Sequence, residues 1–368
     1  MQMVRSAALA AFVFMVMLMG NGSMAAGQVS PVHLTVVDRP GGEPVHARAY
    51  LRREGELVLP EGLPSYDTRG ERHFLIPGEA RVELPPGRYE LRVEHGLEHR
   101  PVIRSFTVTA GVDLDIEAVV TRWVDMNAQG WYSADMHVHR DPADLEAILR
   151  AEDLNLAPTI TTHVWGSDTR QPWGGGHGFM TEVDDDRLFT TNAQEIERIE
   201  GGPGAIILLA PDLPLPYDGY ELYPPSATYA RRAHEQGGYV EADKPFWLDT
   251  FVNVALGAID FIEINANHFY PRGFDTDLAR WSSWPQEMGY IGSRGLALWI
   301  MKLYYSILNS GFRLPLSAGS ANGVMPAQVG FNRVYAQLDR FSYDGFLASM
   351  KAGRSFTTNG PMLELEVG

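Results

Sequence analysis

The segment Asp135-Met136-His137-Val138-His139 holds the strongest chemical signal in the chain. In an extended strand, residues two apart project to the same side, so both imidazoles can reach one ion and Asp135 can orient a ring from behind. A His-x-His pair by itself equally describes two surface histidines on an edge strand. Two further residues favour the metal reading: Glu152, seven residues after Leu145 on an otherwise apolar helical face, and His163, which closes the β-branched run 156–162. Nitrogen and carboxylate donors in a chain without cysteine suit a divalent ion, Zn, Mn or Fe, and do not choose among them.

Elements must exist to hold these residues. Past Trp123 the pattern predicts strands alternating with helices, hence an α/β fold with a parallel sheet. Asp141-Pro142 reads as an N-cap with proline at the first helical position, and Leu145, Ile148 and Leu149 form the apolar face that follows. Later strands are expected at Gly238-Tyr239-Val240, Phe261-Ile262-Glu263-Ile264 and Leu314-Pro315-Leu316. The last two run into the polar clusters Asn265-Ala266-Asn267-His268 and Ser317-Ala318-Gly319-Ser320-Ala321-Asn322, where a barrel of this kind places its chemistry. Ahead of Trp123 the apolar residues alternate in short runs, which predicts a small all-β sandwich over residues 28–122. Pro85-Pro86-Gly87 reads there as a hairpin turn, and His33, His46, His73, His95 and His99 as exposed or edge positions.

With 368 residues, 45% apolar and 21% charged, the chain is long enough for two folded domains and too apolar to be disordered. Zero cysteines exclude a disulfide scaffold and thiolate metal sites. Thirty basic against 46 acidic residues give −16, which argues against a nucleic-acid partner, since phosphate-backbone affinity needs clustered Lys and Arg. The surplus is uneven: residues 1–122 carry 13 basic and 15 acidic side chains, residues 123–368 carry 17 and 31. Residues 1–26 read as a signal peptide, because Arg5 precedes an uncharged stretch at 7–19 that is shorter than the ~20 residues of a membrane span. An uncleaved anchor is the alternative. The expectation is an exported protein, periplasmic or secreted, without a stable membrane span.

The run Gly130-Trp131-Tyr132-Ser133-Ala134-Asp135-Met136-His137-Val138-His139-Arg140 resembles the opening motif of the PHP (polymerase and histidinol phosphatase) superfamily of metallohydrolases, in its CehA/McbA-like branch. Similar matches follow at Arg150-Ala151-Glu152-Asp153-Leu154, Gln194-Glu195-Ile196-Glu197-Arg198, Lys244-Pro245-Phe246-Trp247, Ile262-Glu263-Ile264-Asn265-Ala266-Asn267-His268 and from Gly353 to Pro361. The resemblance implies a distorted (β/α)7 PHP-like barrel over 123–368, and hydrolysis of an ester, carbamate or amide, or phosphoester bond in a small-molecule substrate. It implies His137 and His139 as the first ligand pair, Glu152 and His163 as further ligands and Glu195 as the central glutamate. Lys244-Pro245 stands where the superfamily has His-Pro, and Gly319-Ser320-Ala321-Asn322-Gly323 where it has Gly-Ser-Asp-x-His. Fewer than three metals are therefore expected, with Glu263, His268 or His234 as substitutes and His234 better read as structural.

Lys244 or His163 is the candidate for proton transfer or charge stabilisation. A binding protein that keeps the barrel without turnover is the rival reading. His177 lies on a glycine loop suited equally to substrate contact or solvent exposure, while Trp281, Trp284, Tyr304 and Tyr305 read as core packing before pocket lining. Asp184-Asp185-Asp186 lacks the spacing of a calcium loop and reads as a solvated turn.

Overall fold

The computed structural model describes residues 29–68, 71–165, 168–170, 180–197, 204–209, 215–216, 223–270, 273–274 and 285–363. The expected signal peptide, His177, Trp281 and Trp284 lie outside the described residues.

Nine strands fill residues 30–119: β1 (Ser30–Val37), β2 (His46–Arg53), β3 (Glu56–Val58), β4 (Ser65–Thr68), β5 (Glu71–Pro77), β6 (Glu79–Leu84), β7 (Gly87–Glu94), β8 (Val102–Val108) and β9 (Leu114–Val119). They make a three-stranded sheet, β6-β1-β9, and a six-stranded sheet, β4-β5-β2-β7-β8 with β3 on β2. Every second residue of β1 is buried, and Val32, Leu34 and Val36 meet Ala49, Leu51, Phe74 and Leu91 of the larger sheet in one core. Pro85-Pro86-Gly87 is not a hairpin turn. It hands the chain from β6 in one sheet to β7 in the other, a passage suited to two prolines that cannot donate to a ladder. The histidine expectation also fails for three of the five, since His73, His95 and His99 are buried.

The remainder holds β10 (Trp131–Ala134), β11 (Leu156–Trp165), β12 (Asp168–Arg170), β13 (Met180–Asp184), β14 (Arg187–Glu197), β15 (Ala205–Leu209), β16 (Tyr239–Ala242), β17 (Phe261–Asn265), β18 (Phe269–Tyr270), β19 (Gly273–Phe274), β20 (Leu316–Ala318), β21 (Arg333–Gln337) and β22 (Ser355–Thr358). Five α-helices accompany them among the described residues: α1 (Pro142–Ala151), α2 (Ser226–Glu235), α3 (Thr250–Ala255), α4 (Gly292–Asn309) and α5 (Tyr343–Lys351). Asp141 caps α1 by accepting the Ala143 N–H at 2.9 Å, and Leu145, Ile148 and Leu149 are its buried face.

The sheet order is β20-β17-β16-β15-β14-β11-β10-β21-β22, with β12 on β11 and β13 on β14. Its ends nearly meet. Beyond β10, Met136 N donates to Ala318 O at 3.0 Å and His139 N to Asn322 O at 2.8 Å. This corrects the expected (β/α)7 barrel. The chain is 42% strand and 21% helix, with a nearly closed β-barrel sheet. Helix crossovers fail because β13 pairs antiparallel with β14, β14 with β15 and β15 with β16. Residues 205–209, Ala-Ile-Ile-Leu-Leu, are buried throughout, so no polar alternation announces them as a strand.

The front sheets grip the barrel. Tyr66 and Leu75 share a core with Val138, Leu145 and Leu149. Buried Arg48 bonds Glu152, Arg122 donates to Asp153 at 2.8 Å, and Tyr335 donates to Glu98 at 3.1 Å. Among the described residues no helix is long and apolar enough to cross a membrane.

Candidate metal centre

Strands β10, β11, β14, β16, β17 and β20 run in one direction, because β15 is antiparallel to both β14 and β16 and the other pairings are parallel. Functional side chains come from the carboxyl-terminal part of this set. His137 and His139 follow β10, Glu195 lies near the end of β14, Asp243 follows β16 and Glu263 sits in β17. Asp135 clamps the base of the site. Its carboxylate accepts from the backbone N–H of His137 at 3.2 Å, Ser320 at 3.0 Å and Gly330 at 2.7 Å, and from the Ser320 hydroxyl. The expected contact from Asp135 to a ring is replaced by these backbone bonds, which tie three chain segments together. Gly319 allows the close approach: a Cβ there would lie 2.2 Å from His137 Cβ.

Two donor groups meet at His137. On one side its Nε2 is 3.1 Å from His139 Nε2 and 3.7 Å from Glu195 Oε1, while His139 Nε2 is 3.2 Å from Glu195 Oε2. On the other, His137 Nδ1 is 3.1 Å from Glu263 Oε2 and 3.3 Å from Asp243 Oδ1. Donors bound tetrahedrally at ~2.0 to 2.2 Å stand roughly 3.3 Å apart, so the first group has the spread of an ion's ligands. A neutral imidazole offers one lone pair and one N–H. With Nδ1–H donated to Glu263 and Asp243 adding its charge at 3.3 Å, Nε2 faces His139 and Glu195 as an acceptor, the carboxylate–histidine arrangement that fixes a ligating ring. The residues fit one divalent ion held by His137, His139 and Glu195, with Glu263 as orienting acceptor and Asp243 as a neighbouring charge.

Electrostatics reinforce this geometry. Burial acts to lower the His137 pKa, but Glu195, Asp243 and Glu263 overcome it and hold the ring well above its ordinary value. Burial, aided by Asp243, raises Glu263 to about 7 against the pull of His137 and Lys244. Asp243 stays low despite burial because Lys244 and His137 face it, and the Lys244 amine bonds its Oδ2. Trp247 Nε1 donates to the same oxygen at 3.1 Å, and Lys244 Nζ sits 5.2 Å from the Trp247 ring centre.

No protein-family model matches this sequence, and no curated protein matches it. A solved two-domain protein from Bacteroides vulgatus ATCC 8482, described as containing a predicted PHP-like metal-dependent phosphoesterase, is similar at 12% identity with a TM-score of 0.39. The likeness covers 63% of this chain and 66% of that one, just under two thirds of its length. The Bacillus anthracis TIE protein is similar at 14% identity over 32% of this chain and 20% of that one, with a TM-score of 0.20. Likenesses this slight carry neither fold nor activity across.

The residues singled out from the sequence fall into distinct places. His139, Glu195 and Glu263 come together around His137, and Lys244 joins them through Asp243. Glu152 does not join them. It ends α1 and turns to the front sheets, where it bonds Arg48. His163 pairs in register with Glu195, its side chain being outside the described part. His268 belongs to neither donor group; its Nδ1 is buried without a hydrogen-bond partner among the described residues. His234 bonds Asp260 at 2.7 Å, a structural pairing. Glu241 was missed. It is fully buried, accepts from Ser317 Oγ at 2.7 Å, and burial together with Glu263 pushes its pKa well above the carboxylate range. The readable signal was Glu241-Ala242-Asp243, two acids at strand spacing within an apolar element.

Proposed function

We propose that this chain is a metal-dependent hydrolase acting on an ester, carbamate or amide, or phosphoester bond of a small-molecule substrate. The observation that carries the reading is the buried set of His137, His139 and Glu195, with donor atoms 3.1 to 3.7 Å apart and one imidazole backed by Glu263 and Asp243. A divalent ion supplies Lewis acidity toward a carbonyl or phosphoryl oxygen and acidifies a water. The protein's own groups do the rest. Glu263 holds the His137 tautomer, and Asp135 fixes the backbone that carries it. Lys244, buried beside Asp243, places a positive charge next to the carboxylates, where it stabilises negative charge developing on a substrate oxygen.

The motif resemblance supports a CehA/McbA-like assignment within the PHP superfamily. The stretch 7–19 supports export to the periplasm or outside the cell. One ion per chain is the proposed stoichiometry, because His137 presents a single lone pair. Elemental analysis after loading with Zn or Mn, together with a panel of aryl esters, carbamates and phosphoesters, tests the proposal. Stoichiometric metal with metal-dependent turnover is the expected result. A protein that binds no ion refutes the site, and one that binds an ion without hydrolysing any member of the panel refutes the activity in favour of a binding role.

A further inference from the structure

A cleft of about 610 Å³ opens where the front sheets meet the barrel. Its lining departs from the charge of the whole chain, which is −16. Arg48 and Arg333 are buried in it, and Arg92 and Arg100 stand exposed at its rim. Glu94 and Glu152 are the carboxylates among the lining residues; both bond Arg48, and Glu94 also pairs with Arg92 at 2.5 Å. Four guanidiniums therefore face two acids. Arg333 donates to the backbone carbonyls of Gly330, Asp153 and Glu152 and makes no direct ion pair among the described residues, although its charge is felt by Glu152 and Glu98. The Arg100 guanidinium has no ion-pair partner among them either.

A second, independent feature points to an absent polar group. His99 is 3% exposed and lines the cleft, yet both of its ring nitrogens lack a hydrogen-bond partner among the described residues. Gln328, equally buried, leaves Oε1 without a partner, and Arg48 leaves Nε without one. Buried polar atoms are normally satisfied, so several orphans on one cleft wall mark where a ligand or ordered water completes the network. A cation is the wrong complement. The nearby His95–His99–Asp153 group has ligand spacing, but Arg122 and Arg187 occupy both Asp153 oxygens at 2.8 and 2.6 Å. Another positive charge there meets guanidiniums on every side.

We propose that this cleft is a binding site for a small organic dianion, a dicarboxylate or a phosphate monoester, separate from the His137 centre. Paired guanidiniums suit either ligand, because a planar fork matches two oxygens of a carboxylate or a phosphate. The rim guanidiniums of Arg92 and Arg100 receive the charged end, Arg48 Nε, His99 and Gln328 supply the remaining polar contacts, and the buried charges of Arg48 and Arg333 stand behind them. The site requires no metal and does not depend on the hydrolase assignment.

Isothermal titration of the full chain with succinate and with phenylphosphonate, at ionic strength fixed by NaCl and with glycerol as neutral control, tests this. The two arms separate the carboxylate from the phosphate preference. Binding of at least one probe with a Kd of about 1 mM or tighter is expected. The exposed pair Arg92→Gln and Arg100→Gln weakens it roughly tenfold or more without lowering the ligand-free melting temperature, whereas His139→Ala leaves it intact. The proposal is overturned if neither probe binds above the NaCl control, if the rim double variant binds within about twofold of the parent, or if His139→Ala abolishes binding.

Discussion

Gly319→Ala places a methyl group where the centre has no room. The added Cβ falls 2.2 Å from His137 Cβ, 3.0 Å from His137 N and 3.1 Å from Glu263 Oε2. Non-bonded carbons settle at ~3.5 to 4.0 Å, so one side must retreat by roughly 1.5 Å. Neither side yields freely. His137 N is held by Asp135, the preceding Met136 N by Ala318 O, and Gly319 O accepts from Asn332 Nδ2 at 3.2 Å. Overpacking of this kind costs about 1 to 3 kcal/mol of stability. The larger effect falls on the ion. A shift of ~1.5 Å is most of a ~2.0 Å metal–nitrogen bond, so affinity falls by about a hundredfold or more. A chelator competition titration of Zn or Mn reads this directly, with Gly360→Ala, whose Cβ meets nothing within 4 Å, as the control. If Gly319→Ala holds the ion within about threefold of the parent while Gly360→Ala behaves normally, the geometry argued for His137 is wrong.

His139→Ala and Glu195→Gln each abolish stoichiometric metal binding, whereas Glu263→Gln keeps the ion with about 10 to 100-fold weaker affinity; equal affinity for the last variant refutes its orienting role. Glu152→Gln leaves metal content unchanged but lowers stability by about 3 kcal/mol in urea unfolding, because buried Arg48 loses one of its two carboxylates. Burial, with His95 and Arg122, lowers the His99 pKa from 6.5 to about 3, so the unfolded chain binds its proton first and stability present above pH 6.5 is lost on acidification. The loss from His99 alone is about 2 kcal/mol by pH 5, and a His99→Asn variant with an unflattened stability–pH profile contradicts it. Metal binding near pH 7 releases about one proton per ion, read from calorimetry in buffers of different ionisation enthalpy; no release contradicts the assignment of His137 Nε2 as a ligand.

The sequence was most legible where function compresses into short spacing. His137-x-His139 and the capped start of α1 at Asp141-Pro142 followed from local geometry. The Glu152 position did not, because seven residues from Leu145 suggests the same helical face only while the helix lasts. The helix ends at Ala151, and Glu152 turns toward Arg48 in a different part of the chain. The barrel topology was illegible for a similar reason. One helix between two parallel strands suggested repetition, but β13, β14 and β15 follow one another antiparallel, and strands buried on both faces lack the alternation that announces them. His95 and His99 were hidden because they lie in the connection between β7 and β8, whose burial is set by the part of the chain that covers it and not by any local pattern.

Charge balance explains why so many acids can share this interior. Glu195, Asp243 and Glu263 are all buried within reach of His137, and isolated buried carboxylates are costly unless paired. Glu241 is pushed toward its neutral form by burial and Glu263. Lys244 cancels one of the remaining three charges through Asp243. Glu195 and Glu263, the latter raised to about 7 by burial and Asp243, share the remaining demand for positive charge, which the raised His137 pKa expresses. His137, His139 and Glu195 would hold a divalent ion that meets the same demand, with His137 Nε2 giving up its proton and Nδ1–H staying on Glu263. The lysine where a histidine was expected therefore lowers the negative charge of the site and with it the demand for a second ion.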